Sequence, residues 1–298
     1  MIRVLVFAVV ALLMILESKA QNADYGWWHR KHNAGYELPW YSYLNISPKF
    51  MGPNALPIPD LQRGELETET EFKFDTRYHS TQGDNTYDLF TAIKIPFGDR
   101  IMIETYFVAI EKYQMDTVLR DERFARQYDA KGIIGGDIYF ATSILIAKEK
   151  RHPSLVFRAG LKTASGLHMN NARYTDSPGY YFDLSSGKTL VDKENFKFRP
   201  HLTIGFYAWQ TNLASYLQND AIFAGLGFSS TFKKVFFNME LSSYRGYIGN
   251  GDLPINLKFL FERRKNKINY RLLGKIGFKD DPYNTIGVGV SYKMRPFK

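Results

Sequence analysis

The chain has 298 residues, no cysteine, a formal net charge of +9 and 16% aromatic residues. The missing cysteine excludes disulfides, a cysteine-bound metal and a lipid-anchored N-terminal cysteine, so packing and hydrogen bonds alone must hold the fold. The basic residues are scattered and form no single block, which argues against a nucleic-acid surface, and no zinc, haem or nucleotide motif calls for a cofactor.

Arg3 precedes an apolar run from Val4 to Leu16, and Ser18-Lys19-Ala20 then ends in a small residue before Gln21. This reads as a secretory signal peptide over residues 1–20, with the mature chain beginning at Gln21. The run is too short for a spanning helix, which needs about 20 apolar residues. Arg3, Glu17 and Lys19 carry +1, leaving +8 for residues 21–298.

Residues 21–64 have no strand pattern. Trp27-Trp28-His29-Arg30-Lys31-His32 is followed by Pro39-Trp40-Tyr41, and Met51 to Asp60 holds Pro53, Pro57 and Pro59. Prolines at that spacing forbid regular pairing, while free tails are usually poor in aromatics. The segment is therefore expected to be ordered without being a strand.

From residue 66 onward apolar and polar residues alternate, which puts them on opposite faces of strands. Leu66 to Tyr78 opposes Phe72, Phe74 and Tyr78 to Glu67, Glu69, Glu71, Lys73, Asp75 and Arg77. Thr86 to Pro96 presents Tyr87, Leu89, Ile93 and Ile95, and Gly98-Asp99 turns the chain into Ile101 to Lys112 as a hairpin. Gly136 to Lys148 presents Ile138, Phe140, Ile144 and Ile146, and Ser154 to Ala164 presents Leu155, Phe157, Ala159 and Leu161. His201 to Trp209 sets Leu202, Ile204 and Phe206 outward, and Ala221 to Phe232 sets Ile222, Leu226 and Phe228. Lys233-Lys234 leads into Val235 to Ser243, followed by Pro254 to Glu262, 267–279 and Thr285 to Met294.

That makes eleven strands, whereas single-chain barrels normally have an even number, with short turns at one end and long loops at the other. Long links near 79–85 and 113–132 alternate with short ones at 98–99 and 149–153, and one extra strand at Tyr180 to Ser185 restores the alternation after the long 165–198 segment. The count becomes twelve, with both termini expected in the periplasm. Thr285, Gly287, Val290 and Tyr292 resemble the polar-x-Gly-x-x-apolar-x-aromatic signature read by barrel-assembly machinery, although the chain continues through Met294-Arg295-Pro296-Phe297-Lys298. With the signal peptide and the strand pattern, the chain resembles Gram-negative outer-membrane β-barrel proteins.

The resulting expectation is an all-β protein: a single antiparallel transmembrane β-barrel of about twelve strands over residues 65–298, with residues 21–64 as an N-terminal plug or periplasmic cap. Plug candidates are Trp27, Trp28, Trp40, Pro53, Pro57 and Pro59. Inward parity assigns to the lumen Glu67, Glu69, Glu71, Lys73, Asp75, Arg77, Asp88, Lys94, Glu104, Asp137, Arg158, Lys162, Glu240, Lys258, Glu262, Arg271, Lys275 and Lys293, and the inward Gly225 and Gly227 suit a close-lying plug. Outer-membrane lipid, the assembly machinery and a small polar solute are the expected partners, and a narrow charge-lined channel or transporter is the expected function. The alternative is a barrel without transport, a rim hydrolase or an anchor for partner proteins. His79-Ser80, Ser165-x-x-His168 and His201 with Thr203 are the hydroxyl and imidazole combinations such an enzyme could use, and none has a specific spacing. Asp280-Asp281 reads as a solvated turn.

Overall fold

The computed structural model describes residues 25–265 and 267–295; the expected signal peptide, its cleavage point at Gln21 and the last residues 296–298 lie outside the described residues. The chain divides into two compact units, Met1–Gly35 and Tyr36–Lys298. In the first, helix α1 (Gly26–His32) ends at Asn33 in the left-handed conformation, φ 48°, and contains Trp27 and Trp28. Trp28 lies edge-on to His29 and tilted over His32.

In the second unit, β1 (Thr70–Thr81), β2 (Asp84–Phe97), β3 (Ile101–Met115), β5 (Ile138–Ala147), β6 (Ser154–Lys162) and β7 (Gly179–Gly187) follow one another around a sheet, and β9 (Phe196–Leu213), β10 (Tyr216–Phe232), β11 (Val235–Gly246), β12 (Ile255–Lys265), β13 (Ile268–Gly277) and β14 (Asn284–Met294) complete it. All neighbours are antiparallel, and β14 pairs with β1 from Thr70↔Met294 to Ser80↔Asn284, so the twelve strands close into a barrel. Closure leaves no sheet edge, which a strand surrounded by lipid requires. Two short strands are accessory: β4 (Lys131–Ile134) beside β3 and β8 (Val191–Lys193) in a hairpin with β9. The strand at 180–185, inferred only from turn alternation, is β7.

Two expectations about the first hairpin need correction. The supposed long link near 79–85 is a tight turn at Gln82-Gly83, with Gly83 at φ 84°, a conformation glycine adopts without a Cβ clash. The first strand begins at Thr70 instead of Leu66, so Glu67 and Glu69 precede it. The alternating pattern ran on because residues 65–69 carry glutamates on the same parity, and alternation alone cannot tell a strand from its extended approach.

The alternation itself is realised in burial. Phe74, Ile204, Leu226, Phe261, Leu272 and Val288 stand exposed on the outer surface, while Glu71, Asp75, Thr203, Glu240 and Glu262 beside them are buried inside. Among the described residues no helix is long and apolar enough to cross a membrane, so crossing falls to the strands. Ile204 is 57% exposed on this apolar band, and Ile204→Arg is expected to destabilise the folded barrel by about 2–4 kcal/mol in lipid. Lys258→Ala removes an inward, partly hydrated ion pair and is expected to cost under about 1 kcal/mol. Urea titrations in lipid vesicles measure both, and equal costs would refute the assignment of faces.

Strand β3 changes phase partway along. Leu89 pairs with Ile110 and Phe90 with Val108, leaving Ala109 as a bulge. Met102, Glu104 and Val108 face inward before it and Glu111, Tyr113 and Met115 after it, while Ile110 turns outward.

The links 116–137, 163–178, 247–254 and 278–283 all lie at one end of the barrel, with the hairpin tips at 82–83 and 214–215. The connections at 98–100, 148–153, 188–195 and 233–234, and the one that joins β12 to β13, lie at the other. These are called the long-link mouth and the short-turn mouth below.

Candidate functional site

Residues 40–64 run through the barrel from one mouth to the other, and their hydrogen bonds mark the path. At the long-link mouth, Trp40 lies under Arg126 and Tyr43 stacks on Phe124, while the Asn212 amide donates to the carbonyls of Tyr41 and Leu44. Ser47 and Asn45 donate to the Asn250 carbonyl at 3.0 Å each, and the Gly52 amide donates to the Ala172 carbonyl at 2.8 Å. Asn54 then docks on the wall, its amide donating to Asp88 and Glu111 at 2.8 Å each and its carbonyl accepting from Arg77 at 3.0 Å. Lower down, the carbonyls of Leu56, Ile58, Asp60, Gln62 and Arg63 accept in turn from Tyr244, Lys258, Arg158, Thr203 and Arg199. With its backbone bonded to side chains, the proline-containing segment needs no strand partner.

The segment leans on one side of the lumen. Ile46, Met51, Ala55, Leu56, Ile58 and Leu61 form a buried cluster with Tyr139 of β5, Tyr181 of β7, Tyr207 and Trp209 of β9, Phe223 of β10 and Tyr244 of β11. A Cβ on Gly225 would stand 2.6 Å from Leu61 Cδ2, which is why glycine occurs there, as its inward parity suggested. This aromatic arc was missed in the sequence, although inward parity of Tyr181, Tyr207 and Tyr244 was the available signal.

The opposite side stays open. A cavity of about 300 Å³ lies between the segment and β1, β2, β3, β12, β13 and β14. It brings together Glu71, Lys73, Asp75 and Arg77 of β1, Lys94 of β2, Glu104 of β3, Lys258 and Glu262 of β12, and Arg271 and Lys275 of β13, with Glu67, Asp137, Arg158, Glu240 and Lys293. Pro53, Pro57 and Pro59 line it from the segment. The inner plug candidates are thus in the lumen, Trp40 is at the long-link mouth, and Trp27 and Trp28 belong to the separate N-terminal unit.

Three lumen candidates lie elsewhere, among them Asp88, which is buried in the wall against Arg77, His79 and Asn54. Glu69 is exposed before β1 begins. Lys162 is buried beside the cavity, bonded to Asp137 at 2.7 Å, Thr175 at 2.9 Å and the Ser177 carbonyl at 2.7 Å. Its partner Asp137 precedes β5 instead of lying on it.

The lining is closely paired. Arg271 bridges Asp75 at 2.9 Å and Glu262 at 3.4 Å, Lys293 meets Glu67 at 2.9 Å, Lys94 meets Glu104 at 3.3 Å, and Lys258 meets Asp60 at 2.6 Å. Burial alone would raise the Glu67 carboxyl, but Arg63 and Lys293 hold it well below the ordinary carboxylate range. Ten acidic and ten basic side chains line the cavity, so its walls carry no net charge, and any field across it comes from their arrangement. Arg63, Asp60 and Asn54, which contribute to this surface, were not singled out because nothing in the sequence tells which residues of an irregular segment meet a wall.

At the long-link mouth, Arg173 is fully buried and binds Glu111 at 2.7 Å, Asp84 at 2.5 Å and Thr86 at 2.9 Å. Arg123 and Tyr283 join the same Asp84 carboxylate, at 3.4 Å and 2.5 Å. The cluster ties the links 116–137, 163–178 and 278–283 to the wall.

The serine and histidine side chains of the enzyme alternative take separate partners. Ser165 bonds Thr163 at 2.8 Å, whereas His168 takes the Tyr113 hydroxyl at 2.6 Å, so that pair is not assembled. Burial and nearby Arg173 lower the His168 pKa. His79 lies between Thr285 Oγ1 at 2.8 Å and Asp88 at 2.9 Å, but Asp88 is also clamped by Arg77 at 2.7 Å and by Asn54, so the chain stitches β1, β2 and β14 together at the closing seam. Asp281 is no solvated turn residue: it accepts from Lys275 at 2.7 Å and from Asn256 at 2.9 Å.

No protein-family model matches the chain, and no curated protein sequence matches it. Solved structures do match in fold. The COG4313 outer membrane channel from Pseudomonas putida F1 is similar with a TM-score of 0.51 at 9% identity, over 81% of this chain and 97% of that one. The KdgM porin in complex with disordered oligogalacturonate gives 0.46 at 12% identity, over 74% and 99%, and the NanC porin 0.46 at 10% identity, over 75% and 100%. The fold is that of outer-membrane β-barrels.

Proposed function

We propose that this chain is an outer-membrane channel that passes small polar solutes through the slot between residues 53–63 and the charged arc of β1–β3 and β12–β14. The observation that carries this reading is the cavity beside the internal segment: the segment occupies only the aromatic side of the lumen and leaves a charged passage along the other. The fold similarity to the Pseudomonas putida channel fits it. Delivery to the outer membrane by the N-terminal signal belongs to the same reading. Because the lining is closely paired, a solute crosses by exchanging its hydration for fixed charges of both signs, which suits polar molecules better than a simple ion of either charge.

The test is conductance in planar bilayers. The full mature chain is expected to give small, discrete steps. Lys94→Gln with Lys293→Gln leaves Glu104 without its partner and Glu67 with Arg63 alone, and is expected to shift the reversal potential toward cation selectivity. Electrical silence of both proteins, with the barrel shown to be folded by its heat-dependent gel mobility, would overturn the channel reading.

A further inference from the structure

The internal segment has a direction. Reading from Trp40 to Gly64, its partners begin at Asn212, Asn250 and Ala172 on the long-link mouth and end at Arg199 and Ser186-Gly187 beside the short-turn mouth, after which β1 starts from that same short-turn side. The N-terminal end of the segment therefore lies at the long-link mouth, and β14 ends at the short-turn mouth. This differs from the expectation that both ends share one side. The span is adequate: about 30 Å of hydrocarbon needs roughly ten extended residues, and the stretch from Leu44 to Gly64 is twice that.

In outer-membrane barrels the short turns face the periplasm and the long loops the exterior. We propose that this barrel carries the start of its second unit, Tyr36 to Leu38, across the outer membrane and presents it on the cell surface, with residues 40–64 as the tether left in the lumen. Tyr36 and Leu38, at the start of the second unit, are 82% and 57% exposed, as an arm leaving the mouth requires.

Because the chain has no cysteine, single-cysteine labelling tests this directly in cells producing the full protein. Leu38→Cys, Tyr36→Cys, Tyr128→Cys in the link 116–137 and Lys234→Cys in the turn 233–234 are each treated with a membrane-impermeant maleimide, before and after lysis, with heat-dependent mobility confirming a folded barrel. The expected result is labelling of Leu38→Cys, Tyr36→Cys and Tyr128→Cys on intact cells and of Lys234→Cys only after lysis. Labelling of Tyr128→Cys on intact cells while both Leu38→Cys and Tyr36→Cys wait for lysis would overturn the proposal. So would labelling of Lys234→Cys alone on intact cells, which would mean that the barrel is inserted the other way. Neither result depends on whether the slot conducts, so this proposal and the channel reading fail separately.

Discussion

Deleting residues 22–60 is expected to raise single-channel conductance several-fold over the full mature chain and to make openings more frequent. The segment fills the aromatic half of the lumen, so removing it joins that half to the charged slot and leaves a bore bounded by the barrel wall alone. Twelve strands enclose a lumen wider than the eight that side chains can fill, so the space recovered is not closed by the wall itself. The wall does not depend on the segment for its backbone pairing: each of the twelve strands bonds its neighbours, and β14 bonds β1. The deletion does wet Tyr181, Tyr207, Trp209, Phe223 and Tyr244, so the truncated barrel should be less stable though still closed. Planar-bilayer recordings decide the matter. Unchanged step size with a folded barrel would mean that the segment is not what narrows the passage. Neutralising Arg158 in this background is expected to alter selectivity less than neutralising Lys94, because Arg158 is locked on Asp183 at 2.6 Å and barely reaches water.

Arg173→Ala is expected to be the most damaging single substitution, costing about 3–5 kcal/mol of barrel stability. Its guanidinium lies fully buried between Glu111 and Asp84 and over the Tyr113 ring at 4.5 Å. Burial opposes its charge, but the two carboxylates raise its pKa well above the ordinary arginine value, and among the described residues Glu111 has no other cation bonded to it. Without it, Asp84 keeps Arg123 and Tyr283, whereas Glu111 keeps only the hydrogen bonds of Asn54 and Tyr174. The double variant Arg173→Met with Glu111→Gln removes both members and should recover more than half of the loss. Denaturation midpoints in detergent or lipid measure this. A cost below about 1 kcal/mol for Arg173→Ala would mean that the cluster is hydrated in the native protein.

Much of the barrel was legible because a strand between lipid and lumen reports its two faces in every second residue. Phe74, Ile204, Leu226 and Leu272 were placed outward, and Asp75, Lys258 and Arg271 inward, from parity alone. Even β7, with its short Tyr180 to Ser185 core, could be found because links must alternate between mouths. The occupant of the lumen was not legible in the same way. Pro53, Pro57 and Pro59 said that the segment could not be a strand, and the aromatics said that it would be covered, but neither gave a direction. The direction came from contacts such as Asn54 with Asp88 and Asn212 with Leu44, which join residues far apart in sequence through side chains with no periodicity. Glu69 was misplaced for the converse reason, since its parity matched a strand that starts one residue later.

The Ala109 bulge makes β3 a strand with two grammars. Below it even-numbered residues belong to the lumen; above it odd-numbered ones do, and only that inversion lets Glu111 and Tyr113 reach the buried arginine cluster instead of lipid. Such a strand depends on Ala109 staying out of the ladder. Drawing it into regular pairing would exchange inside for outside along the upper strand, carrying the Glu111 carboxylate into hydrocarbon and Ile110 into the lumen, whereas deleting Ala109 would leave every face where it is. For this barrel the reading frame of faces, as much as the identity of any residue, is what β3 depends on.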